Sequence, residues 1–323
     1  MLTRRALLRA AAGAGAALSL DLRGLLAQPA GLITRPIPST GERLPVVGLG
    51  SAATFSQVAR TEDVTALKEV LKTLVDLRGT VFDTAPSYGA SEEVAGRIVG
   101  ELGATSKVFW ATKVNVAGRG GGTADRGAAL AQIEASFQRA NKPKIDLIQV
   151  HNLGDIPTQL GILKELKQQG RIRYLGVTTT FDGQYPQLEQ VMKDEPLDFI
   201  EIDYSIANRN AEDTILPLAI QRKVGVIVAV PFGRAALFPR VAGKPLPDWA
   251  KDIDVASWAQ YFLKFVIGHP AVTVAIPATS KPTNMRDNMG AAVGRVPDEA
   301  TRRKMIEYFE SVAAPAATRP GDD

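Results

Sequence analysis

The sequence contains no cysteine and almost no histidine, and these two absences exclude whole classes of chemistry. Without cysteine among its 323 residues, the chain has no disulfide, thiol nucleophile, zinc–thiolate site or iron–sulfur cluster. His151 and His269 are the only histidines, which argues against a multi-histidine metal site. Aromatic residues make up 6% of the chain, hydrophobic residues 45% and charged residues 22%. This balance is typical of a globular enzyme. We expect the protein to hold no metal.

The chain also has little excess charge once its first 30 residues are set aside. Its formal net charge is +4 at pH 7. Four arginines and one aspartate within residues 1–30 account for three of these charges, which leaves +1 for the rest. A nearly neutral body lacks the basic surface that binding to a phosphate backbone requires, so we expect no nucleic-acid partner.

Residues 1–30 have the composition of an export signal. Arg4 and Arg5 precede a short alanine-rich apolar stretch, and small residues follow at two candidate cleavage points, Ala27 and Ala30. The adjacent arginines, followed by leucines, resemble a twin-arginine signal. The apolar stretch is shorter than the roughly 20 residues that span a bilayer, so we expect no stable membrane insertion. The sequence therefore predicts the twin-arginine export machinery as a partner and the periplasm as the location. An ordinary N-terminal helix is the alternative.

From residue 44 onward, short apolar runs alternate with segments of helical periodicity. The eight predicted strands are 44–50, 81–82, 108–111, 147–150, 174–177, 199–202, 224–230 and 272–276. The predicted helices are 62–77, 91–102, 125–140, 157–169, 185–193, 212–223, 257–268 and 297–313. This alternation indicates right-handed βαβ units and a parallel sheet. With no linker and no Gly-x-Gly-x-x-Gly motif after an early strand, we predict an α/β fold, a single-domain (β/α)8 TIM barrel over residues 31–323.

Polar residues stand at the ends of three consecutive predicted strands. Asp83, Lys113 and His151 end the second, third and fourth strands, and Tyr88 follows Asp83 by five residues. In a barrel the C-terminal ends of the strands build the active site, so we expect these side chains to meet. Lysine lowers the pKa of a neighbouring phenol, aspartate keeps a buried lysine charged, and a neutral imidazole can orient a carbonyl. Each residue alone also has a structural explanation, as a turn cap, a rim aromatic, a solvated lysine or a core histidine.

Together with their flanking motifs, these residues resemble the aldo-keto reductase family over residues 33–311. The similar segments are Leu44-Pro45-Val46-Val47-Gly48-Leu49-Gly50, Asp83-Thr84-Ala85-Pro86-Ser87-Tyr88-Gly89, Ala111-Thr112-Lys113-Val114, Ile145-Asp146-Leu147-Ile148-Gln149-Val150-His151-Asn152 and Gly170-Arg171-Ile172-Arg173-Tyr174-Leu175-Gly176-Val177. The resemblance implies a barrel that reduces a small aldehyde or ketone with a nicotinamide cofactor. It also implies a catalytic tetrad of Asp83, Tyr88, Lys113 and His151, in which Tyr88 donates the proton. The twin-arginine-exported branch of the family is the most similar.

The resemblance further implies three groups of cofactor-binding residues. They are Thr178, Thr179 and Glu201 at the nicotinamide, Pro231, Phe232 and Gly233 in the segment of the seventh strand, and Thr279, Ser280, Lys281, Asn284 and Asn288 at the adenosine end. Thr178-Thr179 and Glu201 stand where the family often has Ser-Asn and glutamine. Ala52 replaces a tryptophan that often lines the substrate pocket, which indicates an altered substrate site.

The preferred dinucleotide follows from the adenosine end. Lys281 and a helix start at Pro282 offer a charge and backbone N–H groups to a 2′-phosphate, which favours NADP(H) over NAD(H). A capped helix with a solvated lysine is the structural alternative. Asn284 stands where the family often has an arginine, so we expect a small preference for NADP(H).

The sequence alone leaves three functions open. The first is carbonyl reduction. The second is a cofactor-binding regulatory subunit without catalysis, as found beside membrane channels in the family, although a pure binder does not need the tetrad. The third is a lyase with Lys113 as a Schiff-base nucleophile, against which Asp83 and Tyr88 argue because a paired, charged lysine is a poor nucleophile. The oligomeric state is left open.

Overall fold

Eight parallel strands, each followed by helical segments, form the body of the protein. A computed structural model describes residues 31–118 and 122–313, so the predicted export signal lies outside the described residues. The strands are β1 Thr34–Pro36, β2 Arg43–Pro45, β3 Leu49–Gly50, β4 Val81–Asp83, β5 Phe109–Val114, β6 Ile145–Val150, β7 Ile172–Thr179, β8 Phe199–Ile202, β9 Gly225–Val228 and β10 Val272–Ala275. The α-helices are α1 Thr54–Val58, α2 Thr65–Asp76, α3 Ser91–Glu101, α4 Arg126–Ala140, α5 Ile156–Gln168, α6 Tyr185–Asp194, α7 Ile215–Arg222, α8 Leu237–Arg240, α9 Trp258–Gly268, α10 Pro282–Gly290 and α11 Glu299–Val312. By its internal contacts the chain divides into residues 1–32 and residues 33–323, and all of these elements lie in the second unit.

The strands from β3 to β10 pair in chain order, and the first and last of them close the sheet into a barrel. Every neighbouring pair in this series is parallel. Parallel bridges join Val47 to Ala275 and Gly50 to Ala278 across the closure. The Gly48 N–H donates to the Ala275 carbonyl at 2.9 Å. The predicted single-domain barrel is confirmed.

The predicted first strand, 44–50, is wrong as one element because the structure divides it. β2 pairs antiparallel with β1 in a separate two-stranded hairpin, whereas β3 belongs to the barrel. Pro45 has no N–H with which to continue a ladder. At Gly48 the chain passes so close to β4 that a Cβ would lie 2.8 Å from the Val81 carbonyl oxygen. The apolar run 44–50 therefore leaves the hairpin and joins the barrel between Pro45 and Gly48.

The hairpin packs against the end of the barrel at which the strands begin. Ile37 and Leu44 from the hairpin join Phe109, Tyr174 and Phe199 from β5, β7 and β8 in one buried cluster. Their aromatic rings contact one another at centroid distances of 5.6 to 6.2 Å. Apolar side chains fill this end of the barrel. We therefore expect the active site at the opposite end.

Three of the helices that begin later than predicted do so because their first predicted residues are caps or precede them. Asp125, Ser257 and Asp298 precede α4, α9 and α11, and each side chain accepts a hydrogen bond from a backbone N–H in the first turn. Such caps satisfy donors that have no partner within the helix. Among the helices within residues 31–118 and 122–313, none has both the length and the apolar character needed to cross a membrane.

Candidate active site

A buried ion pair lies inside the barrel near the ends of β4 and β5. Lys113 Nζ is 2.6 Å from Asp83 Oδ1 and donates to the Thr84 carbonyl at 3.0 Å. The side chains of Lys113 and Asp83 are 0% and 3% exposed. Side chains alternate between the two faces of a strand, so the residues that follow the inward-facing Val81 and Ala111 by two positions also point inward. The structure thus brings together the predicted acid and base.

The carboxylate of Glu201 on β8 forms a second ion pair with Lys113. Its Oε2 lies 3.1 Å from Lys113 Nζ and accepts a hydrogen bond from Gln149 Nε2 at 2.7 Å. Glu201 is predicted from the sequence to lie at the nicotinamide, whereas its pairing with Lys113 and the part played by Gln149 are not predicted. One signal was present, because Glu201 lies two positions after Phe199 and a charge on an inward face of a buried strand needs a partner.

Tyr88 and His151 lie together above the ion pair. Their ring centroids are 6.0 Å apart in an edge-to-face arrangement, and Lys113 Nζ is 5.7 Å from the centroid of the Tyr88 ring. His151 begins a short 3-10 turn directly after β6, and its carbonyl accepts from Asn115 Nδ2 at 3.0 Å. All four residues of the predicted tetrad therefore gather at one end of the barrel.

The electrostatics of the tetrad fix two protonation states. Burial raises the pKa of Tyr88 to about 12, and it outweighs the lowering effect of the Lys113 charge. Burial alone would lower the pKa of Lys113, but the charges of Asp83 and Glu201 outweigh it and raise this pKa above its usual value. At neutral pH Tyr88 carries its proton and Lys113 its charge. The expected effect of Lys113 on the phenol is present, but it is not the dominant one.

Tyr88 and His151 form part of the wall of an open cleft of about 520 Å³. This volume suits a small organic molecule. Phe181 is 57% exposed at the cleft, and Ala52 contributes only a methyl group. The lining residues are Ala52, Pro86, Ser87, Tyr88, Asn115, Gly118, Gln132, His151, Asn152, Thr180, Phe181 and Arg234. Arg234 brings a positive charge to this mixed apolar and polar surface.

The residues predicted to face the nicotinamide are partly engaged with the protein itself. Thr178 Oγ1 accepts from the Asn152 N–H at 3.3 Å, and Thr179 Oγ1 donates to Gln184 Oε1 at 2.5 Å. Both threonines are buried. The Thr179 hydroxyl therefore stabilises the turn after β7 through its hydrogen bond to Gln184. The Glu201 carboxylate forms an ion pair with Lys113.

The loop after β9 has an unusual backbone that suits an anion. Gly233, Arg234 and Ala235 have successive φ angles of 55°, 53° and 70°. Left-handed conformations are costly for residues other than glycine, and successive N–H groups in such a turn can form a concave site for a phosphate. The Arg234 guanidinium donates to Thr180 Oγ1 at 3.1 Å. The Phe232 ring, in contrast, packs on Phe238 at a centroid distance of 5.0 Å. Pro231 is buried at the start of this loop.

The segment predicted to bind the adenosine end leads into α10. Lys281 is the N-cap of α10, and its N–H donates to Thr279 Oγ1 at 3.1 Å. Lys281 and Asn284 are exposed, Ser280 is half-buried and Asn288 is buried. A helix N-terminus with an exposed lysine is a suitable site for a phosphate. Both this segment and the loop after β9 therefore fit a dinucleotide.

Comparisons with known proteins identify the family of this chain. The model of the aldo/keto reductase family matches residues 46–304, so the chain belongs to that family. The chain is similar to the aldo-keto reductase YhdN of Bacillus subtilis, with 30% identity over 59% of this chain and 60% of that protein. A probable aldo-keto reductase of Glycine max is 25% identical over 72% of this chain and 75% of its own length.

Solved structures show the same fold. An aldo-keto reductase from Bacillus halodurans in its holo form is similar with a TM-score of 0.68 and 22% identity, covering 90% of this chain and 99% of that one. An aldo-keto reductase from Klebsiella pneumoniae in complex with NADPH has a TM-score of 0.68 and 24% identity, covering 83% of this chain and 92% of that one.

Proposed function

We propose that this aldo-keto reductase reduces a small aldehyde or ketone with NADPH and that Tyr88 donates the proton. The observation that carries the proposal is the position of Tyr88, which lies in the wall of the cleft while its ring is 5.7 Å from a buried ammonium paired with Asp83. A pKa of about 12 keeps the phenol protonated at neutral pH. Tyr88 is therefore ready to act as a general acid.

His151 supports this role from the same wall. Its ring meets the edge of the Tyr88 ring at 6.0 Å, so a carbonyl oxygen near the phenol also lies near the imidazole. An imidazole N–H can donate a hydrogen bond to that oxygen and orient it. Proton transfer from Tyr88 to the oxygen leaves a phenolate, which the Lys113 charge stabilises.

The nicotinamide cofactor supplies the hydride when it is bound. The N–H groups of residues 233–235 and the side chain of Arg234 are suited to its pyrophosphate. Lys281 and the N-terminus of α10 are suited to a 2′-phosphate, with Thr279 and Ser280 beside them. The related Klebsiella pneumoniae reductase in complex with NADPH supports the choice of NADP(H).

One observation favours a second candidate, a cofactor-binding subunit without catalysis. Thr179 and Glu201 stand where the family often contacts the nicotinamide, and here both side chains are bound to the protein itself. A lyase with Lys113 as nucleophile is disfavoured, because the raised pKa of Lys113 keeps its amine charged.

Fluorescence titration with NADPH, followed by turnover with a panel of aldehydes and ketones, separates these functions. Reduction at a rate that depends on the carbonyl supports our proposal. Tight binding without turnover supports the non-catalytic subunit. Trapping of a carbonyl compound on the protein by borohydride would instead support a lyase.

Residues 1–30 are proposed to direct the folded protein to the periplasm through the twin-arginine machinery. The support is the Arg4-Arg5 pair with its apolar stretch. We propose residues 31–323 as the mature enzyme.

A further inference from the structure

The cluster around Lys113 contains more acid than base. Asp83 and Glu201 are 2% and 3% exposed, and both carboxylates lie on the same ammonium, at 2.6 and 3.1 Å from Nζ. If both acids were ionised, the three buried groups would carry one uncompensated negative charge. A buried charge without a partner is costly, and a carboxyl group in that position takes up a proton instead.

The atoms of Asp83 provide a place for that proton. Among the residues that the structure describes, none forms a hydrogen bond with the buried Asp83 Oδ2. Burial, and next to it the negative charge of Glu201, raises the pKa of Asp83 well above its usual range, against the lowering effect of Lys113. A proton on either acid would convert two repelling carboxylates into a hydrogen-bonded pair.

The barrel holds Glu201 in this position by a specific arrangement. Gln149 Nε2 donates to Glu201 Oε2 at 2.7 Å. The Gln149 side chain passes beside Gly176, where a Cβ would lie 3.2 Å from Gln149 Oε1 and 2.4 Å from the Phe199 carbonyl oxygen. The positions of Gln149 on β6, Gly176 on β7 and Glu201 on β8 therefore together hold a second carboxylate beside Lys113.

Among the residues that the structure describes, Tyr88, His151 and Arg234 are further titratable groups near this cluster. Tyr88 is neutral at pH 7 because its pKa is about 12. Arg234 lines the cleft, where it donates to Thr180. Lys113 is thus the cation that both buried acids share.

We propose that Asp83 and Glu201 hold one shared proton at neutral pH, and that this proton limits the negative charge beside the phenolate that Tyr88 forms in each reduction. Glu201 is then a positioning residue that acts through the charge of this cluster. The shared proton stands on the geometry above, whereas its effect on turnover rests on the proposed function.

In one turnover the O–H bond of Tyr88 would break as its proton moves to the carbonyl oxygen, whose carbon would receive a hydride from the bound nicotinamide. With one proton on the carboxyl pair, the charges of Lys113 and the pair cancel, so the Tyr88 phenolate is the one added negative charge. A proton from solvent in the open cleft then re-forms the Tyr88 O–H bond. The carboxyl pair keeps its own proton throughout.

Infrared spectroscopy of the full chain without cofactor tests the shared proton directly. A protonated carboxyl group gives a carbonyl band that a carboxylate lacks. The spectra are recorded at neutral pH, above the pKa of about 6 of Asp203, a separate half-buried acid whose remaining contribution the variant Asp203→Asn removes. We expect the band in the wild type and in the control variant Asp203→Asn. We expect its loss in Glu201→Gln and also in Asp83→Asn, because either change leaves one acid balanced by Lys113. The two variants give independent tests should one of them fold poorly.

Absence of the band in the wild type would overturn the proposal. So would its persistence in both variants, since a proton that belongs to one acid alone survives removal of the other. The pH dependence of carbonyl reduction provides the second test. We expect the wild-type rate to fall at the pH at which the band disappears, and Glu201→Gln to lack this step. A band in a protein that reduces no carbonyl would reject the proposed function and keep the shared proton, whereas reduction without a band would do the reverse.

Discussion

The Lys113 ammonium lies 5.7 Å from the centre of the Tyr88 ring. At this distance its charge favours the phenolate, yet the burial of the ring keeps the pKa of Tyr88 at about 12. The phenol is therefore protonated at neutral pH. Under the proposed function, this protonation state suits the reduction of a carbonyl better than the oxidation of an alcohol.

The first prediction concerns the proton donor. Tyr88→Phe keeps the ring and removes the hydroxyl, so carbonyl reduction should fall by at least about 10²- to 10⁴-fold. NADPH binding should persist, because the predicted phosphate contacts lie elsewhere. Steady-state rates and fluorescence titration would measure both effects. A variant that retains a third of the wild-type rate would contradict the role of Tyr88.

The second prediction concerns the dinucleotide. Lys281 is exposed at the N-terminus of α10, so Lys281→Ala should weaken NADPH binding and leave NADH binding nearly unchanged. A charge-assisted hydrogen bond contributes about 1.5–3 kcal/mol, which corresponds to about 10- to 100-fold in the dissociation constant. Asn284→Arg should widen the preference for NADPH. Dissociation constants for both cofactors at one salt concentration would measure this, and an NADH preference in the wild type would place the 2′-phosphate elsewhere.

The third prediction concerns export. Replacement of Arg4 and Arg5 by lysine should leave the folded precursor in the cytoplasm, because the receptor reads the arginine pair and not charge alone. Cell fractionation would detect the change, with the wild-type chain as control. Removal of residues 1–30 should leave Tm unchanged, since the first strand begins at Thr34. Complete export of the double-lysine protein would show that another signal is read.

The fourth prediction concerns His269, which lies outside the active site. Burial, followed by the charge of Arg302, lowers the pKa of His269 from 6.5 to about 4. The unfolded chain then binds a proton more readily than the folded one, so the free energy of unfolding should fall as the pH drops from 6.5 towards 4. We expect a loss of about 2 kcal/mol, allowing for the partial exposure of the ring.

Denaturant unfolding across this pH range would measure that loss. His269→Asn keeps a side-chain acceptor for the Ala271 N–H, which the ring now binds through Nδ1 at 3.2 Å, but it does not titrate. Its stability should depend less on pH over this interval. An equal dependence in the variant would assign the effect to another group.

The sequence predicts the barrel well because its signals are local. Apolar runs and helical periodicity locate all eight barrel strands and most of the helices. The hairpin of β1 and β2 is missed, since its strands have three residues each and carry no alternating pattern. The short helices α1 and α8 are missed for the same reason, because four or five residues cannot establish a period.

The candidate site is likewise only partly predictable from the sequence. Asp83, Lys113 and His151 are predictable, because the ends of neighbouring parallel strands meet in space. The pairing of Glu201 with Lys113 is not, because it requires the register of β5 against β8 across the barrel and a residue without a Cβ at position 176. The pKa of Tyr88 depends on burial that no sequence motif records.

The closure between β3 and β10 bears on the order of events during synthesis. Val46 and Gly48 are made early, but their partner Ala275 leaves the ribosome only when most of the chain has been translated. Contacts between such distant segments form late and slow the folding of a domain. The arginine pair is therefore synthesised long before the barrel can close, so a receptor that bound it early would meet an unfolded chain. Export of the folded enzyme would require the receptor to bind the arginine pair only after β10 has joined the barrel.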